Sequence, residues 1–313
     1  MERQIYKIYG DRKMKRCIFS LYVEIKNYEE DRWTEKNKFA KDQFSLYHNF
    51  LTVCQKKYAD KVKADYILFT DDENYKKYKL SYDSYMSEYN IVNFYKIHLL
   101  YKLAEQYDEI IYLDMDVLPF TNENMFDLNF KQNGIAIRVN HEKNPEEYIE
   151  QTNSRLKIRR DAKLTNVKLN LEKQWQSRRS PLAKYWNCRA MLIESNLPGD
   201  NDVYNTGIIG THKENLKKLA YFDNFNNDIQ LMHSLVTNQN MWPEDIHLLF
   251  GYDNETLFSY KMICNKVKRL DLDEDWHYVM FGRWSYIPDS AKLVHIINKD
   301  FQFAKEKYEK NNL

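Results

Sequence analysis

The sequence predicts an α/β domain with a mixed, mostly parallel sheet flanked by helices. Three observations carry that expectation. Short apolar runs alternate with longer helical ones over the first 120 residues, the order that builds parallel sheets. One of those runs, Ile110-Ile111-Tyr112-Leu113, is apolar without alternation, as in a strand covered on both faces. It also breaks on two aspartates, Asp114 and Asp116, at the sheet edge where such folds bind ligands.

The elements follow in order. Residues 15–25, KRCIFSLYVEI, form a first strand rich in β-branched and aromatic side chains. Over 37–60, Phe39, Phe44, Tyr47, Phe50, Leu51 and Cys54 recur at helical spacing. Residues 63–70, KADYILFT, form a second strand, stopped by Asp71-Asp72-Glu73-Asn74. A second helix spans 91–107, with Ile97, Leu100, Leu103 and Ala104 on one side. The central strand lies within 108–120 and ends at Pro119. Beyond it, 133–139, the strand-like AMLIE at 190–194, 203–211, 261–270 and 291–297 read as strands, and 213–236 as one or two helices. The segment 241–253 reads as a loop leading into a helix.

Composition removes several function classes. The 313 residues carry 47 Lys+Arg against 46 Asp+Glu, a net charge of +1, which argues against a nucleic-acid partner. Only 7 glycines are present, far below the roughly 7% that is usual. None is placed for a G-x-G-x-x-G fingerprint, a P-loop or a G-x-S-x-G elbow. The four cysteines, 17, 54, 188 and 264, are too scattered for a C-x-x-C site. Neither an apolar signal core nor a run long enough to span a bilayer stands in the sequence. A cytoplasmic protein with reduced thiols is the expectation. The sequon Asn254-Glu255-Thr256 reads as chance.

From Arg155 to Arg189, eleven Lys/Arg stand against Asp161 and Glu172, a net of +9. With Trp175, Tyr185 and Trp186 inside it, this stretch has three readings. It is a solvated helical face, a lid for a charged or lipid-linked acceptor, or a peripheral contact with an anionic membrane. No repeat or low-complexity linker occurs, so a single domain over 1–313 is expected, with a basic, largely helical insertion at about 140–200.

Asp114-Met115-Asp116 is the chemical focus. Two carboxylates one residue apart both reach a divalent cation when the chain bends after the strand, and oxygen ligands suit Mg²⁺ or Mn²⁺. The pattern alone is weak, since Asp271-Leu272-Asp273 repeats it. The first pair is distinguished by its apolar lead-in, because charges at the end of a buried strand need compensation. Asp271, Asp273 and Asp275 are spaced like the start of a calcium loop, but Trp276 stands where that loop needs glycine.

Residues 94–120, FYKIHLLYKLAEQYDEIIYLDMDVLPF, resemble the D-x-D region of GT-A fold glycosyltransferases, and most resemble family 8, which includes glycogenin and bacterial lipopolysaccharide galactosyltransferases. Three later segments fall in that family's order. VYNTGIIG at 203–210 resembles its N-[AST]-G motif, WPEDIHLL at 242–249 occupies the place of its Asp-Gln segment, and KLVHIINK at 292–299 resembles its C-terminal histidine strand. The likeness runs from about residue 15 to 299. Two departures are plain: Glu244-Asp245 replaces Asp-Gln, and His295 is not followed by the family's Gly and Lys-Pro-Trp.

The resemblance implies a GT-A (Rossmann-like) fold with a nucleotide-binding half at about 15–120 and an acceptor half at about 130–299. It implies Mn²⁺ or Mg²⁺ held by Asp114, Asp116 and His295. Donor binding would fall to Ser20, Leu21, Tyr22, Asp71, Lys96, Asp114, Met115 and Lys299, with Tyr22 able to stack on a uracil ring. Asn205, Thr206 and Gly207 would line the acceptor side. The reaction implied moves a sugar from a UDP-sugar to a hydroxyl of a glycan, protein or lipid-linked acceptor, with retention slightly favoured. Asp245, or Glu244 in its place, would serve as general base if the enzyme inverts. The alternatives are a sugar nucleotidyltransferase, a non-catalytic sugar- or nucleotide-binding module and a metal-dependent phosphoesterase. IKNYEEDRW at 25–33 lacks the Gly-rich basic loop of the first, the presence of all three metal ligands speaks against the second, and eight scattered histidines speak against the third.

Overall fold

The computed structural model describes residues 14–25, 34–140, 150, 181–238, 242, 244–280 and 286–311, with the backbone alone at 34–37, 244 and 245. In chain order the first half contains β1 (Arg16–Leu21), α1 (Thr34–Lys61), β2 (Asp65–Phe69), α2 (Glu73–Leu80), α3 (Glu88–Ala104), β3 (Glu109–Leu113), β4 (Val117–Pro119), α4 (Phe130–Asn133) and β5 (Ile135–Val139). The second half contains α5 (Pro181–Glu194), β6 (Tyr204–His212), α6 (Lys213–Leu219), α7 (Phe225–Thr237), α8 (Glu244–His247), α9 (Asn254–Cys264), β7 (Arg269–Asp271), β8 (Tyr278–Met280), β9 (Leu293–Ile296) and α10 (Phe301–Lys310).

Six strands form one sheet in the order β2-β1-β3-β6-β5-β7. Pairings β1/β2, β1/β3 and β5/β7 are parallel; β6 runs against both its neighbours. A second sheet, β4-β9-β8, stands beyond the end of β3. The expected α/β class is thus what the chain forms. Ile110 and Tyr112 face one apolar cluster with Phe94, Ile97 and Leu100 of α3. Ile111 and Leu113 face another with Tyr58 and Ala59 of α1. Coverage on both faces is why β3 shows no polar alternation. Each such side chain contributes roughly 1.5–3 kcal/mol on burial.

Two segments differ from the strands expected. AMLIE at 190–194 is the last turn of α5, and 261–264 belongs to α9. Both elements are buried on several sides, which leaves apolar runs without helical alternation. Tyr185 and Trp186 also depart from expectation. They are 1% and 9% exposed and belong to the core, not to a solvated or membrane-facing surface. The rest of the basic stretch, 155–180, lies outside the described residues. Among the described residues, no helix is long and apolar enough to cross a membrane.

Candidate active site

The site begins where β3 stops. The Val117 amide donates to the Asp114 carbonyl (2.9 Å), closing a tight turn. Side chains alternate across that turn. Met115 packs with Leu118 and Phe301 beneath it, while Asp114 and Asp116 gather with His295 on the other side. Helix α1 braces the turn from behind. Gln55, fully buried, donates to the carbonyls of Asp114 (3.1 Å) and Val117 (2.8 Å) and accepts from the hydroxyls of Ser20 (2.7 Å) and Tyr66 (2.9 Å).

The third residue arrives from a distant segment. β4 pairs antiparallel with β9, setting Val117 opposite His295. The Ile296 amide donates to the Asp116 carbonyl (2.8 Å). His295 Nε2 then lies 3.4 Å from Asp116 Oδ1 and 3.7 Å from Asp114 Oδ2. One ligand atom from each of the three residues falls within 4.8 Å of the others. Two carboxylates and an imidazole in that compass suit a divalent cation such as Mn²⁺ or Mg²⁺.

Gly207 makes room for the imidazole. Its carbonyl accepts from the Asp114 amide (2.8 Å), and a Cβ there would stand 2.3 Å from His295 Cε1. On its far side, His295 Nδ1 is 3.2 Å from Nε2 of His277. Burial, with His295 and Arg138 nearby, holds His277 well below the usual imidazole range, so its ring is neutral. This contact and the Gly207 backbone hold the His295 ring in place, with Nε2 turned toward the two carboxylates.

Two lysines balance the acids. Lys299, at φ +61°, directs its ammonium onto Asp116. Burial of Asp116 is outweighed by Lys299 and His295, which hold its carboxyl well below the usual range. Lys96, 3% exposed on α3, donates to Asp114 Oδ1 at 3.3 Å. The Tyr112 hydroxyl donates to the same oxygen, and burial with the Asp114 charge pushes its pKa up.

A second charged cluster adjoins the first. Glu255, on the first turn of α9, accepts from the Thr206 amide (2.8 Å) and from Lys184 of α5. Burial would raise its pKa, but Lys184 and then Lys96 outweigh it and keep the carboxyl ionised. Asn254 Nδ2 donates to Thr206 Oγ1 (2.9 Å). Asp253 caps the helix through the Thr256 amide (2.8 Å), and burial pushes its pKa up. The sequence assigns no site role to His277, to Lys184 of the basic stretch or to the Asp253–Glu255 turn. Their one local signal is Asp253-Asn254-Glu255-Thr256 as a helix start. That turn contains the sequon, whose three residues are buried.

The remaining expected residues separate into groups. Lys96, Asp114, Met115, Asp116, Asn205, Thr206, Gly207, His295 and Lys299 converge at the end of β3. Asn205 Oδ1 accepts from the Gly207 amide (2.9 Å), folding the side chain back on its own strand. Ser20 spends its hydroxyl on Gln55 and is fully buried. Leu21 is core. Tyr22 is half-buried against His48 and Phe44, with ring centroids 4.5 and 5.8 Å away. Asp71 is exposed just after β2. Glu244 and Asp245 occupy the four-residue helix α8, where the structure describes the backbone alone.

No known family profile matches the chain, and no curated protein does. Solved structures similar to it include a glycosyltransferase involved in glycosylation of the major capsid of PBCV-1 (12% identity, 94% of this chain and 99% of that one, TM-score 0.40). Mouse xyloside xylosyltransferase 1 is another (10% identity, 91% and 98%, TM-score 0.43). A third is the galactosyltransferase LgtC in complex with donor and acceptor sugar analogues (10% identity, 94% and 94%, TM-score 0.40).

Proposed function

We infer that the chain is a metal-dependent GT-A glycosyltransferase that moves a sugar from a UDP-sugar to a hydroxyl of a glycan, protein or lipid-linked acceptor. The observation that carries this reading is the Asp114/Asp116/His295 cluster at the end of a central strand, flanked by Lys96 and Lys299. A Mn²⁺ or Mg²⁺ ion held by those three residues supplies Lewis-acid neutralisation of a diphosphate leaving group. The lysine ammonium groups add positive charge for the phosphate oxygens. A sugar-diphosphate bond breaks with exactly that build-up of negative charge. Thr206, on the opposite wall, is fixed by Glu255 and Asn254, and Gly207 by Asn205 and the Asp114 amide; the two shape the acceptor side.

Retention is the stereochemistry we favour. Both oxygens of Glu255 are engaged, one by Thr206 and one by Lys184, so this buried carboxylate is not free to take an acceptor proton. Inversion through Asp245 is the competing course.

Thermal unfolding with UDP, GDP and CMP, each with and without Mn²⁺, tests the reading. Ligand at about 100 times its Kd adds roughly 2.7 kcal/mol, a rise of a few degrees for a chain of this size. The expected result is a rise with UDP plus Mn²⁺ that disappears in Asp116→Ala. No rise with any of the three nucleotides overturns it.

A further inference from the structure

Away from the acidic cluster, α7 and the segments before α3 and α9 enclose an open hollow of about 350 Å³. Its lining is Tyr85, Asn226, Ile229, Gln230, His233 and Tyr252. That set is unusual for a surface depression on so charged a chain, because it holds no carboxylate, lysine or arginine. Two tyrosine rings stand 5.8 Å apart at its wall. Tyr252 is fixed by a 2.5 Å hydrogen bond with His233 Nδ1. Tyr85 is 42% exposed. Among the described residues, the amides of Asn226 and Gln230 have no protein hydrogen-bond partner, and both are exposed.

Aromatic faces beside free amides match a ligand with apolar C–H faces and a rim of hydroxyls. The rings offer rigid apolar area, and each amide both donates and accepts. No lysine or arginine stands in the lining to hold a phosphate or carboxylate. The volume lies in the range of small-ligand sites.

The chain segments that wall the hollow lead directly into elements of the candidate active site. Tyr252 directly precedes Asp253 and Asn254, and Asn254 holds Thr206 beside Gly207 and His295. On the other wall, Ser87 caps α3 just after Tyr85. Lys96 lies eight residues from the start of that helix, about 12 Å along its axis.

We propose that this hollow binds a neutral sugar unit of the acceptor glycan, beyond the unit that reacts. The proposal rests on the glycosyltransferase reading for the word acceptor, whereas the sugar site itself stands on the lining.

The test measures sugar binding directly, without nucleotide or metal. Saturation-transfer NMR on the full chain would use lactose, maltotriose and chitotriose as neutral probes and sialyllactose as an anionic one. Wild type and Asp116→Ala should both bind at least one neutral probe. Tyr85→Ala and Gln230→Ala should each weaken that binding by roughly tenfold, the loss of a single anchoring contact, with unfolding midpoints checked to show that both variants fold. Binding that survives both substitutions undiminished places the sugar elsewhere and overturns the proposal. So does the absence of binding by every neutral probe, or a preference for sialyllactose. Because Asp116→Ala is scored for sugar, failure of the UDP and Mn²⁺ response leaves this result independent.

Discussion

Two aspartate pairs in the chain, Asp114/Asp116 and Asp271/Asp273, each bracket a single apolar residue, and the two have opposite fates. Asp114-Met115-Asp116 follows β3, third in a six-strand sheet and covered on both faces. Asp271-Leu272-Asp273 begins on the last residue of β7, at the sheet's edge. In the first, Asp116 is 6% exposed and meets an imidazole and an ammonium. In the second, Asp271 is exposed and pairs with Arg269 two residues away (2.6 Å), while Asp273 caps the Trp276 amide (2.9 Å). The triplet by itself does not separate a chemical pair from a structural one; the apolar run before the first is the one local difference. What separates them is whether the topology delivers cations and a third ligand from distant segments.

Substitution at the two pairs gives the largest contrast. Asp116→Ala should lower kcat/KM for sugar transfer at least roughly a thousandfold, about 4 kcal/mol of transition-state stabilisation. Asp271→Ala should leave turnover unchanged and alter stability by no more than about 1 kcal/mol, as for an exposed ion pair. Equal effects in a donor-hydrolysis assay would erase the distinction.

Gly207→Ala sharpens the same comparison from the opposite wall. The new Cβ meets His295 Nδ1 at 2.6 Å, and the ring must move. A ten- to hundredfold loss of Mn²⁺ affinity by titration calorimetry is expected, of the order seen when a ligand's support is disturbed, with about 1–3 kcal/mol of overpacking strain. His277→Phe removes the polar partner that steadies the His295 ring without opening a large void. Its expected cost is roughly tenfold in Mn²⁺ affinity, with a smaller shift in unfolding temperature.

The smallest effect lies outside both acidic pairs. His212 caps α6 by accepting from the Glu214 amide at 3.1 Å. Burial, and then Lys131, hold its ring below the usual imidazole value of 6.5. Above that value folded and unfolded rings are both neutral and the cap is intact. As the pH falls through 6.5 toward the lower folded value, the unfolded chain takes up a proton that the folded chain resists, so stability declines. The unfolding midpoint should therefore drop between about pH 7 and pH 5. His212→Asn keeps a capping oxygen that does not titrate, and part of that slope should disappear.

The first half of the fold was legible because its strands and helices are short, covered on distinct faces and separated by polar stops such as Asp71 and Asp72. AMLIE within α5 was misread because a helix buried on several sides carries no period to recognise. In the candidate site, Asp114 and Asp116 stood out by their position after an apolar run. His277 and Lys184 did not, since each acquires its partner across 18 and 71 residues of chain. Ser20 could be placed near the site by its strand, but the demand of Gln55 for its hydroxyl is visible only in three dimensions.

That glutamine also constrains the order of assembly. Gln55 uses both donors and both acceptor positions of its amide, on residues from β1, β2 and the two sides of the acidic turn. The carboxylates therefore acquire their spacing only once α1 has docked on a sheet that already contains its first three strands. Under the proposed metal-dependent reading, cation capture would then be a late event in folding. During renaturation, the appearance of a tight Mn²⁺ complex would mark the moment when the amino-terminal strands, α1 and the distant β9 that carries His295 are all in place.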